Sequence, residues 1–247
     1  MCIILQVNNI RPKHLVLVRH GESEGDVRRS KTNQPTRNVL KKHPRDEEQT
    51  ELGHRQSLIT GRWISKHILQ RNNIECFDWQ MTSPLIRTIQ STESLSLNKP
   101  WIEEPKLLER DRGLIQGMTR AEHQAEYPNS FTEMKEHPYY WRPPNGESLL
   151  RVSMRIGELI NSFMESDANS AIFMTHRDLI WSSYLPLMIT SVENIESVNT
   201  EKIENSQITY CTNVNPHTRK IESTELLWIQ TTTPWKSSDS ELRKLHS

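Results

Sequence analysis

Two residues that follow an apolar run of this chain suit phosphoryl chemistry. Arg19 and His20 come directly after residues 15–18 (LVLV), and a polar turn that contains Gly21 follows them. A β-branched run that ends in this way predicts a buried strand that stops at a site. An arginine offers a planar fork for phosphate, and a histidine near pH 7 can be neutral and nucleophilic. Arg19 and His20 are therefore candidates for binding and attacking a phosphoryl group.

Two further strand ends supply groups of the same kind. The predicted strand 76–82 leads into Arg87, in the first turn of the next predicted helix, and the predicted strand 171–175 is followed by His176. In open α/β sheets, ligands bind beyond the carboxyl ends of the strands, and parallel strands share that edge. We therefore expect two arginines and two histidines in one pocket, near a helix N-terminus whose free N–H groups also favour anions.

The elements that must position these residues alternate along the chain. The predicted strands are 14–18, 76–82, 171–175, 207–212 and 224–230, and the predicted helices are 51–70, 84–97, 119–127, 147–165 and 178–189. Thr50 and the pair Ser83-Pro84 are the expected caps of the first two helices. Strands that alternate with helices predict an α/β fold, here a three-layer α/β/α sandwich around a mostly parallel sheet.

Two stretches of the sequence belong to none of the three predicted layers. Residues 28–50 are polar, with seven Lys or Arg and no acid between Arg28 and Arg45, and residues 98–145 are rich in proline and aromatic residues. We interpret both as loops or cap elements over the site; the first is a solvated loop or a positive rim that attracts anions. The polar tail, residues 231–247, is expected to fray. The prediction is a single domain over 1–247, with a core of about 12–230 and a cap insertion at about 98–145.

Composition narrows the classes of function. The chain has 31 Lys and Arg against 31 Asp and Glu, so its zero net charge does not favour nucleic acid as a partner. With a mean hydropathy of −0.71, it offers no apolar segment that approaches the length of a membrane span. Cys2, Cys76 and Cys211 are widely spaced, which predicts a reducing, cytoplasmic setting. No third metal ligand is spaced near the two histidines, so we expect neither a metal nor a cofactor. The oligomeric state is left open.

Six ordered segments resemble the histidine phosphatase superfamily, which includes cofactor-dependent phosphoglycerate mutases and many phosphatases. The matching segments are residues 18–23 (VRHGES), 50–56 (TELGHRQ), 83–90 (SPLIRTIQ), 108–113 (LERDRG), 144–148 (PNGES) and 175–176 (TH). They cover residues 14 to about 212. The resemblance implies a phosphoglycerate mutase-like fold, in which His20 is the nucleophile that becomes phosphorylated.

The resemblance also implies roles for the other site residues. Arg19, Arg87 and His176 hold the phosphoryl oxygens, and Ser23 is counted with them as a phosphate-binding residue. Glu109 donates a proton to the leaving oxygen and later serves as the base for water, so the predicted catalytic set is His20, Glu109 and His176. We expect the two guanidinium groups to depress the pKa of His20, and a dianionic substrate to raise the pKa of Glu109.

Among the predicted catalytic residues, the general acid Glu109 is the one for which the sequence offers the strongest alternatives. Glu109 stands in an acid-rich stretch with Glu103, Glu104 and Asp111, where a solvated loop charge is an alternative reading. Glu147 is the competing acid, although a helix-dipole role in the first turn of helix 147–165 accounts for it equally well. The Leu-Glu-Arg match and the glycines that follow favour Glu109.

Two positions depart from the family pattern. The family often has Asn where Asp26 stands, and it usually has Gly where Arg177 follows the second histidine. A carboxylate at residue 26 would repel phosphate unless it turns away or pairs with Arg28 or Arg29. Arg177 would either add a substrate contact or crowd the pocket. Both changes bear on the rate and the substrate more than on the reaction class.

The predicted function is metal-independent phosphomonoester hydrolysis through a phosphohistidine at His20. The substrate is a small phosphorylated molecule, with a polyanion as one option. One alternative is a cofactor-dependent phosphoglycerate mutase, which the segment from Glu109 to Gly117 resembles, although the paired arginines that mutases usually carry in the cap are not found. A second alternative is a catalytically weak module that binds a phosphorylated ligand; Asp26 and Arg177 keep it open.

Overall fold

A single sheet with helices on both faces organises the chain. The computed structural model describes residues 11–31, 42–188, 202–236 and 242–245, without the side chains of residues 29–31 and 188. In this part of the chain, seven strands lie in the order β3-β2-β4-β1-β5-β6-β7. Their bounds are β1 His14–Arg19, β2 Trp79–Thr82, β3 Ile102–Glu103, β4 Ser170–Thr175, β5 Ile208–Thr212, β6 Trp228–Thr232 and β7 Arg243–Lys244.

Strand direction gathers three strand ends at one edge. The strands β1, β4, β2 and β3 are parallel to one another. β5 is antiparallel to β1, and β6 is antiparallel to β5, so β6 runs in the direction of β1. The mostly parallel sheet is thus confirmed. Because Arg19 pairs with Thr175 and Thr82 pairs with Met174, the residues that follow β1, β2 and β4 all start from the same edge.

The helices cover both faces of β1, which is buried throughout. Their bounds are α1 Glu24–Lys31, α2 Glu51–Ile64, α3 Ile86–Leu95, α4 Arg120–Glu126, α5 Pro128–Glu136, α6 Leu149–Glu165 and α7 Arg177–Met188. Leu15 and Leu17 pack in one core cluster with α6 and α7, whereas Val16 and Val18 pack in a second cluster with α2. Since successive side chains of a strand point to opposite faces, one short apolar run supports both outer layers. The three-layer α/β/α arrangement is confirmed.

Helix starts follow local capping, and one predicted cap is wrong. Thr50 caps α2 as predicted, because its Oγ1 accepts from the backbone N–H of Gly53 at 3.1 Å. The pair Ser83-Pro84 does not cap α3, which begins at Ile86 after Leu85 in an extended conformation. Ser83 stands two residues before the N-cap Leu85, and its hydroxyl lies 2.8 Å from His176 Nε2.

Several boundaries differ from the sequence prediction. Residues 24–31 form α1, so the predicted loop 28–50 is helical at its start, and residues 32–41 lie outside the described part. The predicted helix 51–70 becomes α2 followed by a π turn at Ser65–Leu69. The tail is not simply frayed, because β6 extends to Thr232 and β7 pairs with β6. These pairings satisfy backbone groups of polar residues, which hydrophobic periodicity does not register.

The predicted cap region contains both sheet and helix. Its start supplies β3, which pairs with Met81 and Thr82 of β2. The capping box of Thr119 and Glu122 begins α4, and α5 follows from Pro128. Tyr139 is fully buried and packs against Trp181 of α7, which anchors this region to the core. None of the helices in the described part of the chain combines the length and apolar character that a bilayer crossing needs.

Gly61 allows the backbone of α2 to pack closely against the end of α3. A Cβ atom on Gly61 would lie 2.0 Å from the backbone O of Leu95. We therefore expect Gly61→Ala to lower the free energy of unfolding by about 1–3 kcal/mol in urea denaturation, in spite of the better helix propensity of alanine. The matched control is Gly157→Ala in α6, where a Cβ would meet only the Pro186 side chain, at 3.3 Å. A larger loss for Gly157→Ala than for Gly61→Ala would contradict this reading.

Candidate active site

His20 leaves β1 with one ring nitrogen already committed. Its Nδ1 lies 2.7 Å from the backbone O of Gly21. Since a carbonyl can only accept, Nδ1 must carry the proton, and the neutral ring then keeps its lone pair on Nε2. Gly21 permits this turn, because a Cβ there would lie 2.4 Å from the backbone O of Gly53. The nearly buried imidazole is thus held as the tautomer whose Nε2 is nucleophilic.

His176 follows β4 and faces His20. The two ring centroids are 5.2 Å apart, with an angle of 61° between the planes. Arg87 Nη2 lies 3.4 Å from His176 Nδ1, and a guanidinium can only donate. Nδ1 is therefore the acceptor, and Nε2–H donates to Ser83 Oγ at 2.8 Å. Ser83, which follows β2, and Arg87, in α3, thus fix the orientation of the His176 ring.

Arg87 joins the histidines to the predicted acid. Its Nη2 also donates to Glu109 Oε2, and its Nη1 donates to the backbone O of Pro44 at 2.8 Å. Glu109 Oε2 lies 4.0 Å from His176 Nδ1, and the Glu109 side chain is 34% exposed. The guanidinium is buried, so Glu109 stands at the solvent side of the pocket with a cation behind it. The contact with Arg87 assigns Glu109, among the acidic residues of this stretch of sequence, to the pocket.

Arg19 lies on the other side of His20. Its Nη1 donates to the backbone O of Ile203 at 2.7 Å, and its Nη2 donates to Asp26 Oδ1 at 2.7 Å. Arg19 is nearly buried, and its charge acts on both histidines of the site. The structure therefore brings together five of the six residues predicted to act in the site: Arg19, His20, Arg87, Glu109 and His176.

Ser23, the sixth, is near but differently engaged. Its hydroxyl donates to Asp26 Oδ2 at 2.9 Å, and its backbone N–H donates to the same atom at 3.1 Å. Ser23 is fully buried at the start of α1. Its polar groups thus contribute to the first turn of a helix rather than pointing openly into the pocket.

The pairing of Asp26 differs from the expectation. Asp26 binds Arg19, whereas Arg28 forms an ion pair with Glu47. Of the expected alternatives, in which Asp26 turns away or pairs with Arg28 or Arg29, none named Arg19 as the partner; the side chain of Arg29 lies outside the described part. Helical geometry explains the result: Asp26 is two residues after the start of α1, where the helix turns it back toward the end of β1.

Arg177 and Arg112 share one buried carboxylate beside the site. Arg112 Nη2 donates to Asp178 Oδ2 at 2.9 Å, and Arg177 Nε donates to Asp178 Oδ1 at 3.2 Å. Burial acts to raise the pKa of Asp178, but the nearby arginines outweigh it and lower that pKa to about 2. The Arg177 side chain is about half exposed, so it lies over Asp178 and does not fill the space between the histidines.

Sequence reasoning missed two supporting residues. Arg155 of α6 forms an ion pair with Glu147, and it donates to the backbone O of Leu108 at 2.7 Å, directly before Glu109. Glu147 precedes the N-cap Ser148, so it is not in the first helical turn as its alternative reading supposed. Ser83 follows β2 at the shared edge, and this signal could have found it. Arg155 carried no such signal, because a polar position on an amphipathic helix normally faces water.

Burial and cations keep both site histidines neutral. Burial lowers the pKa of His20 well below its ordinary value, and Arg87 and Arg19 lower it further. The same causes lower the pKa of His176, with burial first and Arg87 next. The expected depression of the pKa of His20 is therefore present. Within the described residues, no group of three or more His, Cys, Asp or Glu is arranged to hold a metal ion.

Buried histidines make folding stability depend on pH. Burial lowers the pKa of His14 from 6.5 to about 4, with Arg219 adding to the effect. The unfolded chain takes up protons near pH 6.5 and the folded chain does not, so stability is full above that pH and falls as the pH drops below it. For His14 alone we expect a loss of about 2 kcal/mol between pH 7.5 and 5, measured by urea denaturation. A His14→Gln variant should show a smaller loss; an equal loss would contradict the assignment.

Comparisons with known proteins agree with this geometry. A family model described as histidine phosphatase superfamily (branch 1) matches residues 15–220. A 2,3-bisphosphoglycerate-dependent phosphoglycerate mutase of Methylobacterium radiotolerans is 33% identical over 147 residues, which cover 58% of this chain and 62% of the mutase. A fructose-2,6-bisphosphatase of Saccharomyces cerevisiae is 29% identical over 188 residues, which cover 75% of this chain but only 37% of that enzyme.

Solved structures share the fold. The mycobacterial glucosyl-3-phosphoglycerate phosphatase superposes with a TM-score of 0.63 at 20% identity, covering 96% of this chain and 100% of that one. At such low identity the likeness concerns architecture alone. The phosphoglycerate mutase-like fold that the sequence predicts is thereby confirmed.

Proposed function

Because the chain belongs to the histidine phosphatase superfamily, we propose that it hydrolyses phosphomonoesters through a phosphohistidine on His20. The observation that carries this proposal is the hydrogen bond from His20 Nδ1 to the backbone O of Gly21. It leaves Nε2 as the nucleophilic atom in a pocket that also holds two guanidinium groups and a second neutral imidazole. The pocket offers positive charge and a fixed nucleophile, which phosphoryl transfer needs most.

In the first half of the reaction, His20 Nε2 attacks the phosphorus atom of the ester. A nitrogen–phosphorus bond forms as the bond from phosphorus to the leaving oxygen breaks, and the electron pair of that bond passes to the leaving oxygen. Glu109 in its protonated form gives that oxygen its proton. Arg87 reaches both Glu109 and His176, so it is suited to neutralise the equatorial oxygens beside the acid.

In the second half, water attacks the phosphorus atom of phosphohistidine. The nitrogen–phosphorus bond breaks, its electron pair returns to Nε2, and the Glu109 carboxylate takes a proton from the water. Neutral His20 is restored because its pKa is depressed by burial, Arg87 and Arg19. Each charged donor at the transferring group supplies about 3–4 kcal/mol of transition-state stabilisation, by analogy with oxyanion donors.

We further propose that the reaction needs no metal ion and that the substrate is small and carries additional negative charge. The support for the first point is the set of side chains itself, in which arginine guanidinium groups take the position of a phosphate-neutralising charge. The support for the second is Arg177, whose half-exposed side chain follows His176 directly. The free thiols Cys76 and Cys211 support a reducing, cytoplasmic location, whereas Cys2 lies outside the described residues.

The test of the proposed function is to trap the intermediate. A panel of sugar phosphates, nucleotides, inositol phosphates and phosphopeptides, assayed with and without EDTA, identifies a substrate by phosphate release. Acid quenching is avoided, and base-stable, acid-labile label on the protein from the ³²P-labelled substrate is mapped to a peptide. We expect label at residue 20 and EDTA-insensitive turnover; label elsewhere, or none during turnover, would overturn the proposal.

A phosphoglycerate mutase is the second candidate, because a mutase is among the relatives that match this chain. It is separated from a phosphatase by the products formed from 3-phosphoglycerate, with and without the 2,3-bisphosphate primer. We expect net phosphate release for a hydrolase. Isomer formation without phosphate release would favour the mutase.

A further inference from the structure

A carboxylate is fixed in the phosphate-binding side of this pocket. Asp26 Oδ1 lies 2.7 Å from Arg19 Nη2, and Asp26 Oδ2 lies 3.9 Å from His20 Nδ1. The Asp26 side chain is only 13% exposed. Its Oδ2 also accepts from Ser23 and, at 3.0 Å, from Asn205 Nδ2. These bonds hold the carboxylate in place, so it does not simply turn away from the pocket.

The first turn of α1 engages one of the two carboxylate oxygens of Asp26. Ser23 and Asp26 bond to each other across the first turn of α1, as residues at a helix start often do. This role engages Oδ2, and a neutral acceptor at residue 26 would also serve it. Oδ1 instead accepts from Arg19, one of the residues to which the family resemblance assigns the phosphoryl oxygens. The ion pair of Asp26 with Arg19 is therefore not part of the helix start.

The fork of Arg19 is engaged at both ends by acceptors of this chain. Nη1 donates to the backbone O of Ile203, and Nη2 donates to Asp26. A phosphoryl group beside His20 that accepts a hydrogen bond from Nη2 shares this nitrogen with Asp26 or displaces the carboxylate. In either case the phosphoryl charge meets a nearby charge of the same sign in a poorly screened site.

We propose that Asp26 is a positioning residue that competes with phosphoryl oxygens for Arg19 and so weakens the hold of the pocket on phosphate. The competition itself concerns anion binding. Its catalytic consequence rests on the proposed function: a pocket that holds phosphate weakly releases its product readily and does not retain the phosphoryl group on His20. Asp26 thereby favours hydrolysis over retention of a phosphorylated enzyme.

Equilibrium binding of orthophosphate tests the competition without any turnover. Calorimetric titrations at fixed ionic strength compare the wild-type chain with Asp26→Asn. The matched control is Glu24→Gln, which removes an acidic charge from the same helical turn but at a partly exposed residue paired with Lys42. We expect Asp26→Asn to bind orthophosphate at least about tenfold more tightly, and Glu24→Gln to stay within about twofold of wild type. Equal or weaker binding by a folded Asp26→Asn variant overturns the proposal.

A second background shows whether Asp26 acts through Arg19. In Arg19→Gln, the change Asp26→Asn should tighten orthophosphate binding less than about threefold, because the contested guanidinium is gone. If Asp26→Asn tightened orthophosphate binding as much in Arg19→Gln as in the wild type, Asp26 would act by direct repulsion of the phosphate. That result would refute its positioning role. If Asp26→Asn fails to fold, Asp26→Ser keeps a hydroxyl acceptor for the helix start, and the same tightening is required of it.

The proposed effect of Asp26 on the phosphohistidine intermediate is measured separately. With a turnover substrate, the fraction of chain that carries base-stable ³²P label in the steady state should be several-fold higher in Asp26→Asn than in wild type. Absence of label from both proteins during turnover refutes the phosphohistidine and leaves the orthophosphate result standing. Label that is unchanged by the substitution, together with tighter orthophosphate binding, refutes the claim about retention.

Discussion

Replacing His20 with alanine should reduce kcat at least about a thousandfold and remove all base-stable label from the protein. The reason is chemical: the substitution deletes Nε2, the atom to which the phosphoryl group would be attached, and the other imidazole of the pocket is oriented differently. His176 faces the same space, but its Nδ1 is directed at Arg87 and its Nε2 at Ser83. Steady-state phosphate release and quenched labelling on the identified substrate measure the effect.

The fold of the His20→Ala variant should persist. The wild-type imidazole is neutral and buried, so its removal leaves a small cavity but no uncompensated charge. The control is His54→Ala on α2, an exposed histidine whose Nδ1 lies 2.8 Å from Ser94 Oγ, and it should retain wild-type kinetics. A folded His20→Ala protein that keeps more than about a thousandth of the wild-type rate would contradict the role of nucleophile.

The position of the site could be predicted because strand ends carry it. Residues 15–18 form a short apolar run followed by a polar turn, which predicts a buried strand, and the run before His176 is of the same kind. Once these strands are parallel neighbours, Arg19, His20 and His176 must start from one edge. The residues thus owe their proximity to strand direction, which alternating strands and helices predict.

The contacts within the site could not be predicted in the same way. Glu109 lies among other acids in the sequence, where its Leu-Glu-Arg match favours it, but its contact with Arg87 is seen only in the structure. Asp26 was expected to turn away from the phosphate or to pair with Arg28 or Arg29, and its ion pair with Arg19, across the turn between β1 and α1, was not foreseen. Such contacts depend on the directions of side chains in three dimensions, which residue types and spacing leave open.

Short or polar elements were missed for a related reason. β3 has two residues, and Ile102 in it is 61% exposed, so no apolar period marks it. β6 extends to Thr232 because its backbone pairs with β5, although threonines at its end resemble the polar tail that follows. Backbone hydrogen bonds to an existing sheet edge can order a segment without any hydrophobic signal in its sequence.

Replacing Arg87 with lysine should lower kcat/KM by about two orders of magnitude. The arginine serves three acceptors that point in different directions: Glu109 and His176 from Nη2, and the backbone O of Pro44 from Nη1. An ammonium group is a single point of charge on a shorter reach, so it cannot donate to all of them and to a phosphoryl oxygen. We expect orthophosphate binding to weaken as well, by about tenfold, because Arg87 would contact a bound phosphate group already in the ground state.

The comparison that isolates geometry from charge is Arg55→Lys. Arg55 also pairs with a glutamate, Glu51, but in water on the surface of α2, where loss of the fork should leave both kcat/KM and stability within experimental scatter. Both substitutions keep the positive charge, so a large effect confined to Arg87 must come from the planar fork in a buried site. If Arg87→Lys retained near-wild-type kcat/KM, point charge alone would hold the phosphoryl group, and bidentate contact by Arg87 would have no place in the mechanism.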